Sequence, residues 1–206
     1  MTKGQTTRLR ILDVAQDAVL SKGFGATSID EIIAAMGLTK SGFFYHFRDK
    51  NELAIALLER YVAEDERVYD DVFRRARELT DDPLQVLLLG LKLLSEVFAN
   101  MPEGHPGCLV AAAVAAERSY DRRIQEIAKQ ASLTWRRRFT SMIEDVAALY
   151  RPSEPIPSDQ LADTISAMLE GGIVMSKTLK DPAILVQQTL VLRSMIRLLF
   201  SPMPAR

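Results

Sequence analysis

The chain has 206 residues, 48% hydrophobic and 26% charged, with a formal net charge of −1. That length can bury a substantial core, and the composition excludes a disordered or fibrous chain and a bulk polycation. One cysteine, Cys108, excludes an intrachain disulfide, and the longest apolar runs, around Leu84–Leu94 and Cys108–Ala116, fall short of the roughly 20 residues of a membrane span. The N-terminal stretch is amphipathic and lacks the apolar core and cleavage site of a signal peptide, so the cytoplasm is the expected location. Residues 1–50 carry seven Lys and Arg against five Asp and Glu, so the chain's positive excess is gathered near its start.

Helical periodicity runs through nearly all of the chain, and hairpin signals are absent. The expected fold is all-α, with about nine helices. Leu9, Leu12, Ala15, Val19 and Leu20 mark one face of a first helix that Gly23 closes. Ser28, with Glu31 three residues on, is a capping box for a second helix ending at Gly37. Thr39 caps a short third helix. Asp49, with Glu52, caps a fourth that runs from about Lys50 to Leu79. Asp82-Pro83 opens an apolar helix to Ala99. Residues 100–107, rich in Pro and Gly, form a loop before a short Ala-rich helix at Cys108. A charged helix follows to Tyr150, then a proline-rich connector, then two final helices, about Ser158–Leu179 and Pro182–Phe200. We divide the chain into residues 1–60 and 61–206, joined through the fourth helix.

Residues 27–53 carry the strongest signal. Helix, tight turn at Gly37 and second short helix make a helix-turn-helix, whose second helix enters a DNA major groove. Thr39, Lys40 and Ser41 begin that helix, where N–H groups favour phosphate. Gly42 lets the backbone approach the groove, and Phe44 suits a thymine methyl. Tyr45, His46 and Lys50 stand at phosphate distance, and Thr27 and Ser28, at the opening of the preceding helix, are also expected to contact DNA. Phe24, Ile29, Ile32, Met36, Leu38, Phe43, Phe47 and Leu53 are assigned to the core.

Over roughly Arg8–Tyr61 the segment resembles the DNA-binding domain of the TetR family of transcriptional regulators. The resemblance lies in Gly23-Phe24, Thr27-Ser28-Ile29, Gly37-Leu38-Thr39-Lys40-Ser41-Gly42, Tyr45-His46-Phe47 and Lys50-Asn51-Glu52-Leu53. Ile33 departs from it, since many members carry alanine there. The resemblance implies a homodimer on palindromic operator DNA, a larger C-terminal domain for ligand binding and dimerisation, and a repressor released by a small-molecule or electrophilic inducer. No cofactor or metal is expected, and no enzyme activity. The alternative is a helical small-molecule-binding protein or enzyme for which DNA binding is secondary.

A pocket between the C-terminal helices draws its candidates from Phe98, Met101, Cys108, Leu109, Tyr120, Trp135, Phe139, Met142, Met168 and Met175. The competing reading, and for any one of them the stronger, is that it is simply core. Cys108 sits at the start of a helix, near His105 and Arg118 in sequence, where a dipole lowers a thiol pKa. Gly107-Cys108-Leu109 is similar to a TetR subgroup with members that respond to reactive or unsaturated molecules. A sensing thiol and an inert buried one both remain open. Arg136-Arg137-Arg138 reads as a solvated, ion-paired face. Ile165, Met168, Leu169, Ile173, Leu185, Leu192, Met195, Ile196 and Leu199 of the last two helices are the expected dimer surface, as a four-helix bundle.

Overall fold

Ile11, Leu12, Ala15 and Val19 recur at helical spacing and form the buried stripe of the first helix, α1 (Lys3–Ala26). In the computed structural model, which describes residues 2–116 and 122–200, Leu9 lies off that stripe and is 39% exposed. The expectation for Leu9 is corrected: two residues before Ile11 the helix has turned by about 200°, away from the core. Gly23 breaks α1 with φ 86°, a conformation L side chains disfavour, and one further turn reaches Ala26.

The remaining helices are α2 (Ile29–Met36), α3 (Lys40–Phe44), α4 (Lys50–Leu79), α5 (Pro83–Ala99), α6 (Leu109–Ala115), α7 (Arg122–Leu149), α8 (Ser158–Leu179) and α9 (Ala183–Leu199). The fold is all-α, and no strand occurs among the described residues. Local chemistry sets most boundaries. Asp82 accepts the Gln85 N–H at 2.8 Å, and Pro83 opens α5 where its missing donor costs nothing.

The chain divides into two compact units, one of Met1–Asp65 with Cys108–Ala131, the other of Glu66–Gly107 with Ser132–Arg206. Helices α4 and α7 contribute to both. In the first unit, Ile11, Phe24, Ile32, Phe43, Phe47 and Leu57 are buried, as are Leu109 and Val110 of α6, which packs on α1. Ile29, Met36 and Leu38, assigned to this core, are only half-buried. In the second, a continuous core draws Phe73 from α4, Leu87 and Leu91 from α5, Phe139 and Val146 from α7, Ile165 and Leu169 from α8, and Leu192 and Ile196 from α9. Helix α9 packs against both α5 and α8.

That core corrects the expected dimer surface. Ile165, Leu169, Ile173, Leu185, Leu192 and Ile196 are buried inside their own subunit, with Met168 and Leu199 packed against them. Of the nine residues expected there, only Met195 is well exposed. The outward faces of α8 and α9 carry a different apolar set: Val174, Met175, Leu179, Val191, Met195 and Leu198, each between 47% and 68% exposed. Both faces of these helices satisfy helical spacing, and the packing of α9 between α5 and α8 selects the inner ones.

Candidate nucleic-acid interface

Stops and caps build the segment from Gly23 to Leu53. Ser28 accepts the Glu31 N–H at 3.2 Å and starts α2. Gly37, with φ 63°, ends it in the left-handed conformation. Thr39 then accepts the Gly42 N–H at 3.1 Å and starts α3. Phe43 anchors α3 from below: it is fully buried and its ring stands 6.0 Å from that of Phe47. Asp49 accepts the Glu52 N–H at 2.8 Å while the Glu52 carboxylate accepts the Arg48 N–H at 2.8 Å, which fixes the start of α4. The Glu52 bond, foremost, holds the Asp49 carboxyl below its usual pKa.

With α3 held this way, Ser28, Thr39, Lys40, Ser41, Phe44 and Tyr45 are exposed. Gly42, His46 and Lys50 are half-buried. Tyr45 is 82% exposed, and its ring meets His46 edge-on at 5.0 Å. Lys40 pairs with Asp30 of α2 at 3.1 Å, both side chains remaining largely in solvent. Lys50 donates to the Gly25 carbonyl at 3.3 Å; burial there, and then the charge of Lys22, lower its pKa. Thr27 differs from the others. It is 3% exposed, and its hydroxyl donates inward to the Gly23 carbonyl at 3.0 Å.

Gly42 has a second constraint besides groove approach. A Cβ there would stand 3.2 Å from Thr39 Oγ1, against the cap itself. Three more contacts frame the surface and were not legible in the sequence. Arg8 lies over the Phe47 ring at 4.7 Å, Gly4 of α1 backs onto His46, and Lys22 pairs with Glu31 and lowers its pKa. Each joins residues far apart in the chain, so no local pattern announces it.

Residues 11–57 match the family model for bacterial regulatory proteins of the tetR family. Residues 89–189 match that for the C-terminal domain of LmrA/YxaF-like transcriptional regulators.

The chain belongs to the TetR family of transcriptional regulators.

The regulator YxaF of Bacillus subtilis is 26% identical over 194 residues, covering 91% of this chain and 95% of that one. AcrR of Shigella flexneri is 36% identical over 88 residues, 41% of this chain and 38% of that protein. A TetR-family regulator from Agrobacterium tumefaciens shares the fold with a TM-score of 0.79 at 18% identity, covering 97% of this chain and 100% of the other.

The pocket candidates of this TetR-family chain do not gather in one place. Phe98, Phe139 and Met142 are buried in the core of the second unit, with Met101 and Met168 against it. Leu109 and Cys108 belong to the first unit, where Leu109 is fully buried. Met175 faces outward on α8. Trp135 is half-buried, and its indole N–H has no hydrogen-bond partner among the described residues. Tyr120 and Arg118 lie outside the described residues. Cys108 caps α6, its Sγ accepting the Ala111 N–H at 3.4 Å. His105 accepts the Gly107 N–H and is half-buried.

The arginine run is internally engaged. Arg136 grips Asp163 with two bonds of 2.6 Å, and Arg138 pairs with Glu66 at 2.6 Å and Asp70 at 2.7 Å. No group of three His, Cys, Asp or Glu side chains among the described residues is arranged to hold a metal ion. None of the described helices is long and apolar enough to cross a membrane.

Proposed function

We propose that this regulator binds palindromic operator DNA as a homodimer in the cytoplasm, represses transcription there, and is released by a small-molecule inducer. The observation that carries this reading is α3 itself. A five-residue helix is too short to persist alone, yet it is capped, anchored on Phe43, and turns only neutral and basic side chains outward. Thr39, Lys40, Ser41, Gly42 and Phe44 then address the groove, while Ser28, Tyr45, His46 and Lys50 take phosphates. Thr27 positions α2 rather than touching DNA, because its hydroxyl is spent on Gly23.

Dimerisation is supported by the exposed apolar faces of α8 and α9. Gly171, Val174, Met175 and Thr178 follow one helical face, and Val191, Met195 and Leu198 another. Two such pairs make a four-helix bundle that buries both. Inducer binding in the second unit is supported by the unmet Trp135 N–H, a buried donor that a ligand acceptor would satisfy.

The test is operator binding by the purified chain, using DNA upstream of its own gene, with and without a panel of small molecules that includes mild electrophiles. Sequence-specific, salt-dependent binding by a dimer, released by one compound, is the expected result. Release by electrophiles that Cys108→Ser abolishes would assign the sensing role to Cys108. Turnover of a bound compound, or binding that leaves DNA affinity unchanged, would overturn the regulator reading in favour of a carrier or enzyme.

A further inference from the structure

Phe44 is a large apolar side chain left 47% exposed on α3. Its position is nevertheless fixed. The ring meets Phe43 edge-on, centroids 5.5 Å apart at 89°, and Phe43 is itself fully buried. The polar groups around it are already engaged. Thr39 Oγ1 takes the Gly42 N–H and lies 3.1 Å from Ser41 Oγ, and Lys40 leans on Asp30. Tyr45 stands at the C-cap of α3 with its ring edge-on to His46.

The centre of this reading surface is therefore apolar. The floor of a major groove is polar almost everywhere: guanine shows O6 and N7, adenine N7 and an amino group, cytosine an amino group. Thymine alone adds a methyl group. We infer that Phe44 packs on the 5-methyl group of a thymine, so that each operator half-site holds one T·A pair read by its methyl. This rests on the reading of α3 as the recognition helix. Hydrogen-bond readout then falls to flanking positions, where Lys40 has to leave Asp30 to reach a base.

The experiment first enriches duplexes from a random pool with the full-length chain. It then replaces each thymine of the enriched half-site by deoxyuridine, which deletes only the methyl. One position per half-site should respond, with affinity falling roughly four-fold for the loss of one buried methyl, and roughly fifteen-fold when both half-sites are changed. Phe44→Ala should bind more weakly and show no further loss on the deoxyuridine duplex. Phe44→Leu, which keeps an apolar side chain, should retain part of the methyl dependence. If the wild-type chain tolerates deoxyuridine at every position, the inference fails while the operator reading stands. A methyl effect that persists undiminished in Phe44→Ala overturns it equally. Enrichment of no duplex at all would sink the operator reading, and this inference with it.

Discussion

Gly90 of α5 is the position where one added methyl should do most damage. A Cβ there would reach the ring of Phe73, with Cζ at 3.0 Å and the Cε1 and Cδ1 atoms nearer still. Carbon atoms rest about 3.5–4.0 Å apart, so the ring has to retreat by more than half an ångström. It has nowhere to go. Phe73 is fully buried and edge-on to Phe139 at 6.1 Å, itself fully buried. Overpacking of this kind costs up to about 3 kcal/mol, against about 1 kcal/mol gained from the better helix propensity of alanine. Gly90→Ala should therefore destabilise by roughly 2 kcal/mol, lowering the thermal midpoint of a chain this size by about 4–8 °C. The assay is thermal or urea unfolding of Gly90→Ala, Phe73→Leu and the double variant. In the double variant the smaller side chain leaves room for the new methyl, so the cost of Gly90→Ala should shrink. A midpoint that rises in Gly90→Ala, as propensity alone dictates, would refute the packing argument.

Three further outcomes are expected. Lys50→Ala should weaken DNA binding across sequences and flatten the salt dependence by about 0.9 in log–log slope, one phosphate's worth of counterions; loss on one sequence only, with the slope intact, would exclude a phosphate contact. Met195→Asp places a charge in the exposed apolar face of α9 and should yield monomers by sedimentation, with helix content retained; an unchanged dimer would move the interface elsewhere. His105 should make stability depend on pH. Burial, and then the charge of Lys177, push its pKa down to about 4, whereas the unfolded imidazole titrates near 6.5. Between those values the unfolded chain takes up a proton that the folded chain refuses, so stability falls as pH drops through the window, and above pH 6.5 the group has no effect. The stability difference between wild type and His105→Gln should shrink by up to about 3 kcal/mol on acidification to pH 4. Parallel curves would show that His105 does not carry the shift.

What was legible in the sequence is what short-range chemistry decides. Gly23, Ser28 with Glu31, Gly37, Thr39, Asp49 with Glu52 and Asp82-Pro83 each read as terminating or starting a helix by satisfying backbone groups a few residues away. The structure uses Gly37, Thr39, Asp49 with Glu52 and Asp82-Pro83 in that way, whereas Gly23 kinks α1 without ending it and only the Ser28 half of the expected capping box forms, the Glu31 carboxylate pairing with Lys22 instead. The recognition helix was legible for the same reason: its cap and its anchor, Phe43, lie within five residues of each other.

What was not legible depends on partners distant in sequence. Helices α8 and α9 are apolar on two sides, and a spacing rule cannot tell Ile165 and Leu169 from Val174 and Met175. Only packing into the core of the second unit, with α9 alongside α8, makes the first pair interior. Thr27 reads in sequence as an open hydroxyl before a helix, and turns inward because the broken end of α1 offers the Gly23 carbonyl. The segment from Cys108 to Ala131 clusters with the first 65 residues because α6 finds its apolar partner in α1, nearly a hundred residues earlier. A pocket list drawn from residue type alone therefore mixed Leu109, buried with the DNA-reading unit, and Phe139, buried in the other. Residue type gives the chemistry a side chain can perform, and long-range packing decides which unit it performs it in.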